Sequence, residues 1–366
     1  MYLSQISVLN YRNIEECELR FSKKINLFWG RNGVGKTNLI DVVYYLSFTK
    51  SHLNSLDTQL IRHGEDFFML KGVFQNSNED SLDTVTVAVK PRRKKQFLLN
   101  KKEYDRLSEH IGHLPLVLVS PADMSLIGEG SDERRRFLDV IISQYSKEYL
   151  QCLMEYNVAL KSRNLLLKKP EAIDPTMLEI IDSKLVKKSQ IIYAMRNEFI
   201  ERFIPVFKEF YARISDSREC VDLRYCSHLS DSDMESLLRQ NFDKDKILGY
   251  TTKGIHKDEL EMSIDGFPIK RTGSQGQNKT YVVSMKLAQL KFLKEITSKT
   301  PILLLDDIFD KLDSERVARI IREISTEEFG QIFITDTNRE HLDDLIQKNS
   351  SDYAFFAVEN GKIVNS

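Results

Sequence analysis

The sequence has 366 residues, of which 41% are hydrophobic and 29% charged, a composition typical of globular proteins with room for two domains. Fifty-three basic and fifty-four acidic side chains give a net charge of −1. This balance excludes a globally basic surface, so any binding of DNA must use local basic patches. Widely spaced cysteines exclude a Cys-x-x-Cys metal site, and neither a signal sequence nor a membrane-spanning apolar run is predicted. We therefore expect a cytoplasmic protein that has no membrane partner.

The first third of the chain predicts strands on either side of a glycine-rich turn and a helix. Two short apolar runs predict two strands of one sheet, and apolar residues at helical spacing follow the turn. Valines alternate along one arm of a later hairpin, whose tip is the basic run Pro91 to Lys95. In chain order, the predicted elements are strands at 6–9 and 25–29, a helix over 36–46, a hairpin over 73–99 and a strand at 114–119.

The middle of the chain is predicted to be helical, since apolar residues between Arg134 and about Phe210 recur three, four or seven residues apart. Phe199, Phe203, Phe207 and Phe210 are assigned to the core. The last third returns to alternating elements, namely a helix over 276–293, a strand at 302–305, a helix over 315–324 and a strand at 331–335. We predict one split α/β domain, comprising 1–120 and 248–366, with a helical domain inserted at 121–247.

A phosphate-binding motif lies between the predicted strand at 25–29 and the following helix. The pattern G-x-x-x-x-G-K-[ST] is matched by Gly30-Arg31-Asn32-Gly33-Val34-Gly35-Lys36-Thr37. Glycines allow backbone N–H groups to surround phosphates, and the helix N-terminus adds partial positive charge. Lys36 would contact the terminal phosphates, and the Thr37 hydroxyl would bind Mg²⁺. The strand and helix on either side favour a nucleotide site over an accidental glycine turn.

A second part of the site is predicted where the apolar strand at 302–305 ends in Asp306 and Asp307. Asp306 would hold Mg²⁺ through water, and Asp307 would polarise the attacking water. Most of the chain separates these acids from Lys36, which excludes a compact GTPase or kinase-like core. The combination therefore predicts an ATPase in which a large insertion divides the nucleotide-binding domain.

A Ser/Gly turn at Ser274, Gly276 and Gln277 precedes the helix predicted over 276–293. Such a turn at a helix N-terminus is a second candidate anion-binding site, in addition to the phosphate loop. One nucleotide cannot easily contact both sites of the same chain, so these residues are predicted to contact the γ-phosphate of ATP held by a second subunit. An ordinary surface loop is the alternative.

Basic clusters are the candidates for DNA binding. The densest one, Arg92, Arg93, Lys94 and Lys95, lies at the predicted hairpin tip, and a second includes Lys161 and Arg163. Neither is interleaved with aromatic residues, which favours contact with the duplex backbone over stacking on single-stranded bases. For both clusters, the alternative is a run of solvated charges with no function in binding.

His256 is not assigned to any of these sites, and a structural role is favoured for it.

Several motifs in order resemble the head domain of ABC-type ATPases and, within that superfamily, the bacterial RecF family of recombination mediators. The resemblance covers essentially the whole chain. It is carried by the following segments: Asn10 to Asn13, Gly30 to Thr37, Pro121 to Asp123, Gly130 to Asp139, Tyr156 to Lys168, Gly254 to Leu260, Ser274 to Gln277 and Leu304 to Asp313. It implies a P-loop ATPase fold of ABC head type.

The resemblance also implies a function in recombinational repair and at replication forks. Proteins of this family bind ATP and Mg²⁺, dimerise on ATP and bind DNA at gaps and junctions. They act with RecO and RecR to load RecA, and weak, DNA-stimulated ATP hydrolysis serves as a switch. Carried over to this chain, the resemblance assigns cross-dimer communication to Asp313 and predicts association with the nucleoid.

Some positions depart from the family. Leu53 occupies a position where an arginine is common in the family. If that arginine contacts nucleotide, this chain must use Lys50, His52 or no residue in its place. Thr335-Asp336 lies where transporter ATPases carry a switch histidine. The alternatives are an ATPase subunit of a transporter, which should carry that histidine, and a chromosome-organising protein, which would need a long coiled coil. A nuclease of related type would need a further acidic domain after Asp313.

Overall fold

The computed structural model describes residues 1–54, 56–75, 81–168, 173–215, 219–309, 312–337 and 339–365. The strands are β1 Tyr2–Tyr11, β2 Ile14–Arg20, β3 Ile25–Trp29, β4 Phe68–Gln75, β5 Leu82–Val89, β6 Gln96–Leu99, β7 Lys102–Glu103, β8 Leu116–Val119, β9 Val221–Cys226, β10 Glu259–Ile264, β11 Phe267–Pro268, β12 Ile302–Asp306, β13 Ile332–Asp336, β14 Tyr353–Glu359 and β15 Lys362–Asn365. The helices are α1 Lys36–Phe48, α2 Ser125–Gly128, α3 Ser131–Tyr145, α4 Lys147–Leu167, α5 Pro175–Ser215, α6 Met234–Gln240, α7 Phe242–Leu248, α8 Ile269–Thr272, α9 Gln275–Thr297, α10 Ser314–Ile324 and α11 Arg339–Asn349.

These elements form two compact units. The first contains Met1–Met124, the last turn of α5 and the described residues from Gln275 onward, and the second contains the described residues between them. The segment after α7 belongs to the second unit because β10 pairs with β9 along its whole length. The predicted domain limits at 120/121 and 247/248 stay a prediction.

The sheet that carries the site has the strand order β15-β14-β3-β13-β12-β8. All neighbouring pairs in it are parallel except β14 with β15. Its central strands are continuous apolar runs, as expected when helices cover both faces, and residues 302–305 are at most 4% exposed. Parallel register aligns the carboxyl ends of β3, β12 and β13, so Asp306, Thr335 and Asp336 lie at the edge where the phosphate loop begins.

A separate antiparallel sheet with the order β2-β1-β4-β5-β6-β7 completes the strands of the first unit. The predicted strands at 6–9 and 25–29 both exist, but the prediction that they share a sheet is wrong. β1 pairs with β2 and β4, whereas β3 pairs with β13 and β14. The hairpin predicted over 73–99 is confirmed in β5 and β6.

The second unit is built from the helices α3, α4 and α5 together with the short sheet β11-β10-β9. The predicted helical character of this region is confirmed. The four phenylalanines assigned to the core, Phe199, Phe203, Phe207 and Phe210, are at most 1% exposed. The α/β elements predicted in the last third are confirmed as α9, β12, α10 and β13. Among the described residues, no helix combines the length and apolar character needed to span a membrane.

Candidate nucleotide site and basic surfaces

The phosphate loop connects β3 to α1, and its backbone requires glycine. Gly33 and Gly35 have φ angles of 82° and 115°, in the left-handed region that other residues rarely adopt. A Cβ on Gly35 would come within 2.7 Å of the Asn13 side chain. The same asparagine donates from Nδ2 to the Val34 carbonyl at 2.8 Å and accepts from Asn38 at 2.7 Å. Asn13 therefore braces the loop. It lies in a motif that carried the family resemblance, but no role in the site was predicted for it.

Lys36 is buried at the start of α1 and directs its ammonium group into the loop. Its Nζ donates to the carbonyl oxygens of Gly30 at 2.8 Å and Arg31 at 3.1 Å. Burial lowers the pKa of Lys36, and the nearby charges of Asp307, Asp336 and Asp306 act in the opposite direction. The ammonium is thus held by backbone carbonyls at a position where a phosphate would be a stronger, charged acceptor.

Thr37 and Asp306 meet although they are 269 residues apart in the sequence. The Thr37 hydroxyl donates to Asp306 Oδ1 at 3.0 Å, and the Thr335 hydroxyl donates to the same oxygen at 2.7 Å. Burial raises the pKa of Asp306, against the effect of these two hydrogen bonds. A buried carboxylate beside a threonine hydroxyl is the hard oxygen donor set that Mg²⁺ prefers. The residues predicted to hold the metal are therefore together and fit it.

Asp307 follows β12 in a left-handed backbone conformation, with φ 51°. This conformation is uncommon for a non-glycine residue and is often found at functional turns. The backbone N–H of Asp307 donates to the Thr335 hydroxyl at 2.9 Å. Thr335 therefore fixes both acids, since it also donates to Asp306. The sequence singled out 335–336 only as a departure from transporter ATPases and missed this bridging function.

A second hydrogen-bonded group lies one turn further along α1 and was not predicted. Asp41 is fully buried and accepts hydrogen bonds from the Tyr11 hydroxyl and the Ser51 hydroxyl, both at 2.6 Å. It also accepts from the backbone N–H of His52 at 2.9 Å and lies 2.8 Å from His52 Nδ1. The exposed side chain of Leu53 takes no part in this group.

The Ser/Gly turn predicted to contact a second subunit lies at the N-terminus of α9. Ser274 is exposed, and the helix begins at Gln275. A Cβ on Gly276 would come within 2.5 Å of the guanidinium of Arg316. The Arg316 guanidinium in turn lies 3.4 Å from the Asp313 carboxylate. The same carboxylate caps α10 by accepting a hydrogen bond from the backbone N–H of Arg316 at 2.8 Å. Gly276 and Asp313 are thus connected through Arg316. The predicted residues Asp310 and Lys311 lie outside the described part of the chain.

The predicted basic cluster at the hairpin tip divides into two parts. Arg92, Arg93 and Lys94 are exposed in the turn between β5 and β6, and Lys94 lies 3.3 Å from Glu103. Lys95 is instead enclosed, because its Nζ donates to Asp57 at 2.6 Å, to the Thr49 carbonyl at 2.7 Å and to a tyrosine hydroxyl. Lys95 therefore binds the hairpin to the end of α1 and does not present its charge to DNA.

The prediction that Arg163 contacts DNA is wrong. Its side chain is fully buried and donates to Asp182 at 2.8 Å and to Asp245 at 2.7 Å. A buried, doubly paired guanidinium cannot reach phosphates without breaking the helical unit. Lys161 is exposed on α4, on a face that also presents the apolar residues Met154, Val158 and Leu165 and the polar residues Asn157 and Lys168.

His256 has the structural role that was favoured for it. Its ring lies 2.8 Å from the Tyr156 hydroxyl and 2.9 Å from the Thr251 carbonyl. Because a carbonyl only accepts, Nε2 carries the proton and Nδ1 accepts from the tyrosine. Burial lowers the pKa of His256 to about 4. The neutral ring fixes the start of the segment that leads into β10.

The chain matches the RecF/RecN/SMC N terminal domain family over residues 2–363. It is 53% identical to the DNA replication and repair protein RecF of Bacteroides thetaiotaomicron over 363 residues, which cover 99% of this chain and 98% of that protein. The chain belongs to the RecF family. A relative from Parabacteroides distasonis with the same description is 51% identical over 363 residues, or 99% of both chains.

Solved structures agree with membership in the RecF family. One, described as the recombination mediator protein RecF-ATP in the RecFOR pathway, has a TM-score of 0.89 and 29% identity, covering 100% of this chain and 97% of that one. An Smc head domain from Pyrococcus furiosus, with a TM-score of 0.59, 18% identity and coverage of 100% and 96%, shares the fold. The predicted α/β P-loop ATPase fold of ABC head type is confirmed, and the family is one of DNA replication and repair ATPases.

Proposed function

We propose that the chain binds ATP with Mg²⁺ at Gly30 to Thr37 and closes as an ATP-dependent homodimer on DNA at gaps and junctions. Hydrolysis releases the DNA, so ATP acts as a timer. With RecO- and RecR-type partners, the DNA-bound dimer promotes loading of RecA. The single observation that carries this proposal is the shared hydrogen bonding of Thr37, Asp306 and Thr335 beside the glycine loop.

Each group of this site has a defined part in the proposal. Lys36 exchanges its carbonyl acceptors for the terminal phosphates, and Thr37 with Asp306 holds Mg²⁺, which neutralises phosphate charge when bound. Asp307 orients and polarises the attacking water. Family membership and the ATP-bound RecF structure support these assignments.

The second subunit enters the proposal through the turn at Ser274 to Gln277. The N-terminus of a helix, such as that of the 23-residue α9, carries partial positive charge and binds anions well. We assign this turn to the γ-phosphate held by the partner subunit, with Asp313 transmitting closure through Arg316. ATP is then required for dimerisation because its third phosphate connects the two chains.

Asp307→Asn tests the proposal. Asparagine is tolerated in the left-handed conformation of position 307, so the variant should fold normally, bind ATP and fail to hydrolyse it. We expect a stable dimer in sedimentation runs with ATP, strengthened by a gapped duplex, and a monomer with ADP. The matched control is Lys36→Ala, which should stay monomeric with either nucleotide. An Asp307→Asn protein that remains monomeric at saturating ATP contradicts the clamp.

A further inference from the structure

The hydrogen-bonded group around Asp41 lies beside the metal-binding part of the proposed nucleotide site. Thr37, which bonds Asp306, is four residues before Asp41 on α1. Residues four apart in a helix share a face, so Asp41 and its partner His52 lie on the side of α1 that meets Asp306. In agreement with this placement, a charge on His52 lowers the pKa of Asp306.

The tautomer of His52 is determined by Asp41. Burial acts to raise the pKa of this carboxyl, but the hydrogen bonds from His52, Ser51 and Tyr11 outweigh burial, and the pKa is lowered. Asp41 is therefore ionised and can only accept hydrogen bonds. It follows that Nδ1 of His52 carries a proton directed at Asp41, and that Nε2 becomes a donor to an anionic acceptor when the ring also takes up its second proton.

The other ring nitrogen, Nε2, is buried and has no hydrogen-bond partner in the part of the chain that the structure describes. The His52 side chain is only 9% exposed. Buried polar atoms nearly always have a partner, and leaving one without costs about 1–3 kcal/mol. An orphaned nitrogen at the edge of a ligand site points to a ligand as the partner.

The turn that carries His52 is held in place from several directions. The Ser51 hydroxyl accepts hydrogen bonds from the backbone N–H groups of Leu53 at 3.0 Å and Asn54 at 3.1 Å. The ring also packs edge-on against Tyr44, with the ring centroids 5.3 Å apart. The imidazole is thus oriented before a ligand arrives, which reduces the entropy lost on binding.

We propose that His52 is a further nucleotide-binding residue, whose imidazolium form donates from Nε2–H to the terminal phosphate of a bound nucleoside triphosphate, and that Asp41 positions it by accepting from Nδ1–H. This inference rests on the proposed function, because it concerns the same site. It distinguishes triphosphate from diphosphate, since a diphosphate lacks the group that Nε2 contacts. Lys50 and His52 were the two residues that could replace the arginine that is common in the family at position 53. The inference assigns this function to His52.

His52→Leu and His52→Gln test the contact. We expect His52→Leu to weaken binding of a non-hydrolysable ATP analogue with Mg²⁺ about tenfold, which corresponds to about 1.4 kcal/mol, and to leave the affinity for ADP within about twofold. His52→Gln, which keeps a side-chain hydrogen-bonding group, should recover part of the loss. The matched control is Leu53→Ala in the same turn, where both affinities should be unchanged. Lys50→Ala should also leave them unchanged.

The positioning role of Asp41 has its own readout. Asp41→Asn removes the negative charge that stabilises the doubly protonated ring, so it should weaken binding of the ATP analogue to a similar extent. The double variant Asp41→Asn with His52→Leu should bind no worse than His52→Leu alone, because both changes remove one contact. In wild-type protein with nitrogen-15-labelled histidine, the Nε2 resonance of His52 should shift with the ATP analogue and not with ADP.

The outcomes separate this inference from the proposed function. If wild-type protein fails to bind the ATP analogue, or Lys36→Ala binds it equally well, the proposed function is overturned and the inference with it. If binding depends on Lys36 but His52→Leu leaves it unchanged, or weakens ATP and ADP equally, the inference alone is overturned. An unshifted Nε2 resonance overturns it as well.

Discussion

Asp306 combines two opposing requirements in one carboxyl group. Binding of a divalent cation needs the charged form, but burial raises the pKa of Asp306 in the folded chain. The folded chain therefore retains the proton over a pH range in which the unfolded chain has lost it. The free energy of unfolding therefore falls as the pH rises from about 3.8, the ordinary pKa of an aspartate, through the raised pKa of Asp306. The nucleotide-free protein gives up stability at neutral pH in order to hold this charge.

Asp306→Asn should therefore stabilise the nucleotide-free protein and abolish its response to ligand. At pH 7 we expect a higher Tm than in wild type, since a gain of about 1 kcal/mol raises Tm by about 1–2 °C in a chain of this size. At pH 4 the difference in Tm should shrink, because the raised pKa of Asp306 leaves more of the wild-type carboxyl protonated there than at pH 7. Addition of Mg²⁺ and ATP should raise the Tm of wild type but not the Tm of Asp306→Asn.

Thermal unfolding at the two pH values checks this prediction. Asp307→Asn is the matched control, since it makes the same chemical change at the half-buried neighbour. It should leave Tm near the wild-type value and keep the ligand response. A Tm for Asp306→Asn below that of wild type at pH 7 would show that the two threonine hydroxyls bind the carboxylate more strongly than burial disfavours it.

The β5–β6 hairpin is an element in which neighbouring basic residues have different functions. Arg92 and Arg93 are exposed at the tip, and Arg92 adopts a left-handed conformation with φ 61°. Lys95 is instead bonded to Asp57 and to the carbonyl at the end of α1. The tip is thus available to phosphates, while Lys95 at the base of the hairpin connects it to the end of α1, the helix that begins with Lys36.

The double variant Arg92→Asn with Arg93→Ala should weaken DNA binding without unfolding the hairpin, because asparagine tolerates the left-handed conformation. If each arginine neutralises one phosphate, the slope of log affinity against log salt should fall by about 2. Lys95→Met, the matched control, should leave this slope unchanged and reduce stability by about 1–2 kcal/mol through loss of partly buried, charge-assisted hydrogen bonds. Fluorescence anisotropy over a salt series and denaturant unfolding measure the two effects. An unchanged slope in the double variant would remove the hairpin from the DNA interface.

The elements also show how far the sequence could predict this fold. Runs such as 302–305 are buried on both faces and carry a strong local signal. β2 was missed because Ile14–Arg20 is mostly polar and buries only two of its residues fully. The assignment of β1 and β3 to different sheets depends on pairing with β4 and β13, which local periodicity does not reveal.

The same contrast applies to the site. The phosphate loop and the two acids are contiguous motifs, so their chemistry was predicted from residue types and spacing. Asn13, Asp41 and Thr335 act through partners distant in the sequence, and no local pattern distinguishes them. Arg163 was misassigned for the same reason, since its partners Asp182 and Asp245 lie on other helices.

At the scale of the whole molecule, the net charge of −1 suits a DNA affinity that ATP can switch. A strongly basic chain would hold DNA with or without nucleotide. In the dimer that we propose, small patches such as the hairpin tip of a nearly neutral chain would become sufficient when two subunits close together. The proposed clamp requires that each nucleotide be completed by the partner subunit, and this requirement can be tested by mixing variants.

Lys36→Ala removes the phosphate loop function, and Ser274→Arg, at an exposed position, blocks the turn that we propose to contact the partner's nucleotide. Each variant alone should lack ATP hydrolysis, since Lys36→Ala stays monomeric and every composite site of a Ser274→Arg pair is defective. In a heterodimer, one site combines both defects and the other combines an intact loop with an intact turn. An equimolar mixture should therefore recover hydrolysis, up to about half of the wild-type rate, because one of the two sites of each mixed pair is intact. Lys36→Ala mixed with Lys36→Ala,Ser274→Arg is the control that should recover nothing. If each variant keeps its own activity and mixing adds nothing, ATP is hydrolysed within one subunit and the shared site is wrong.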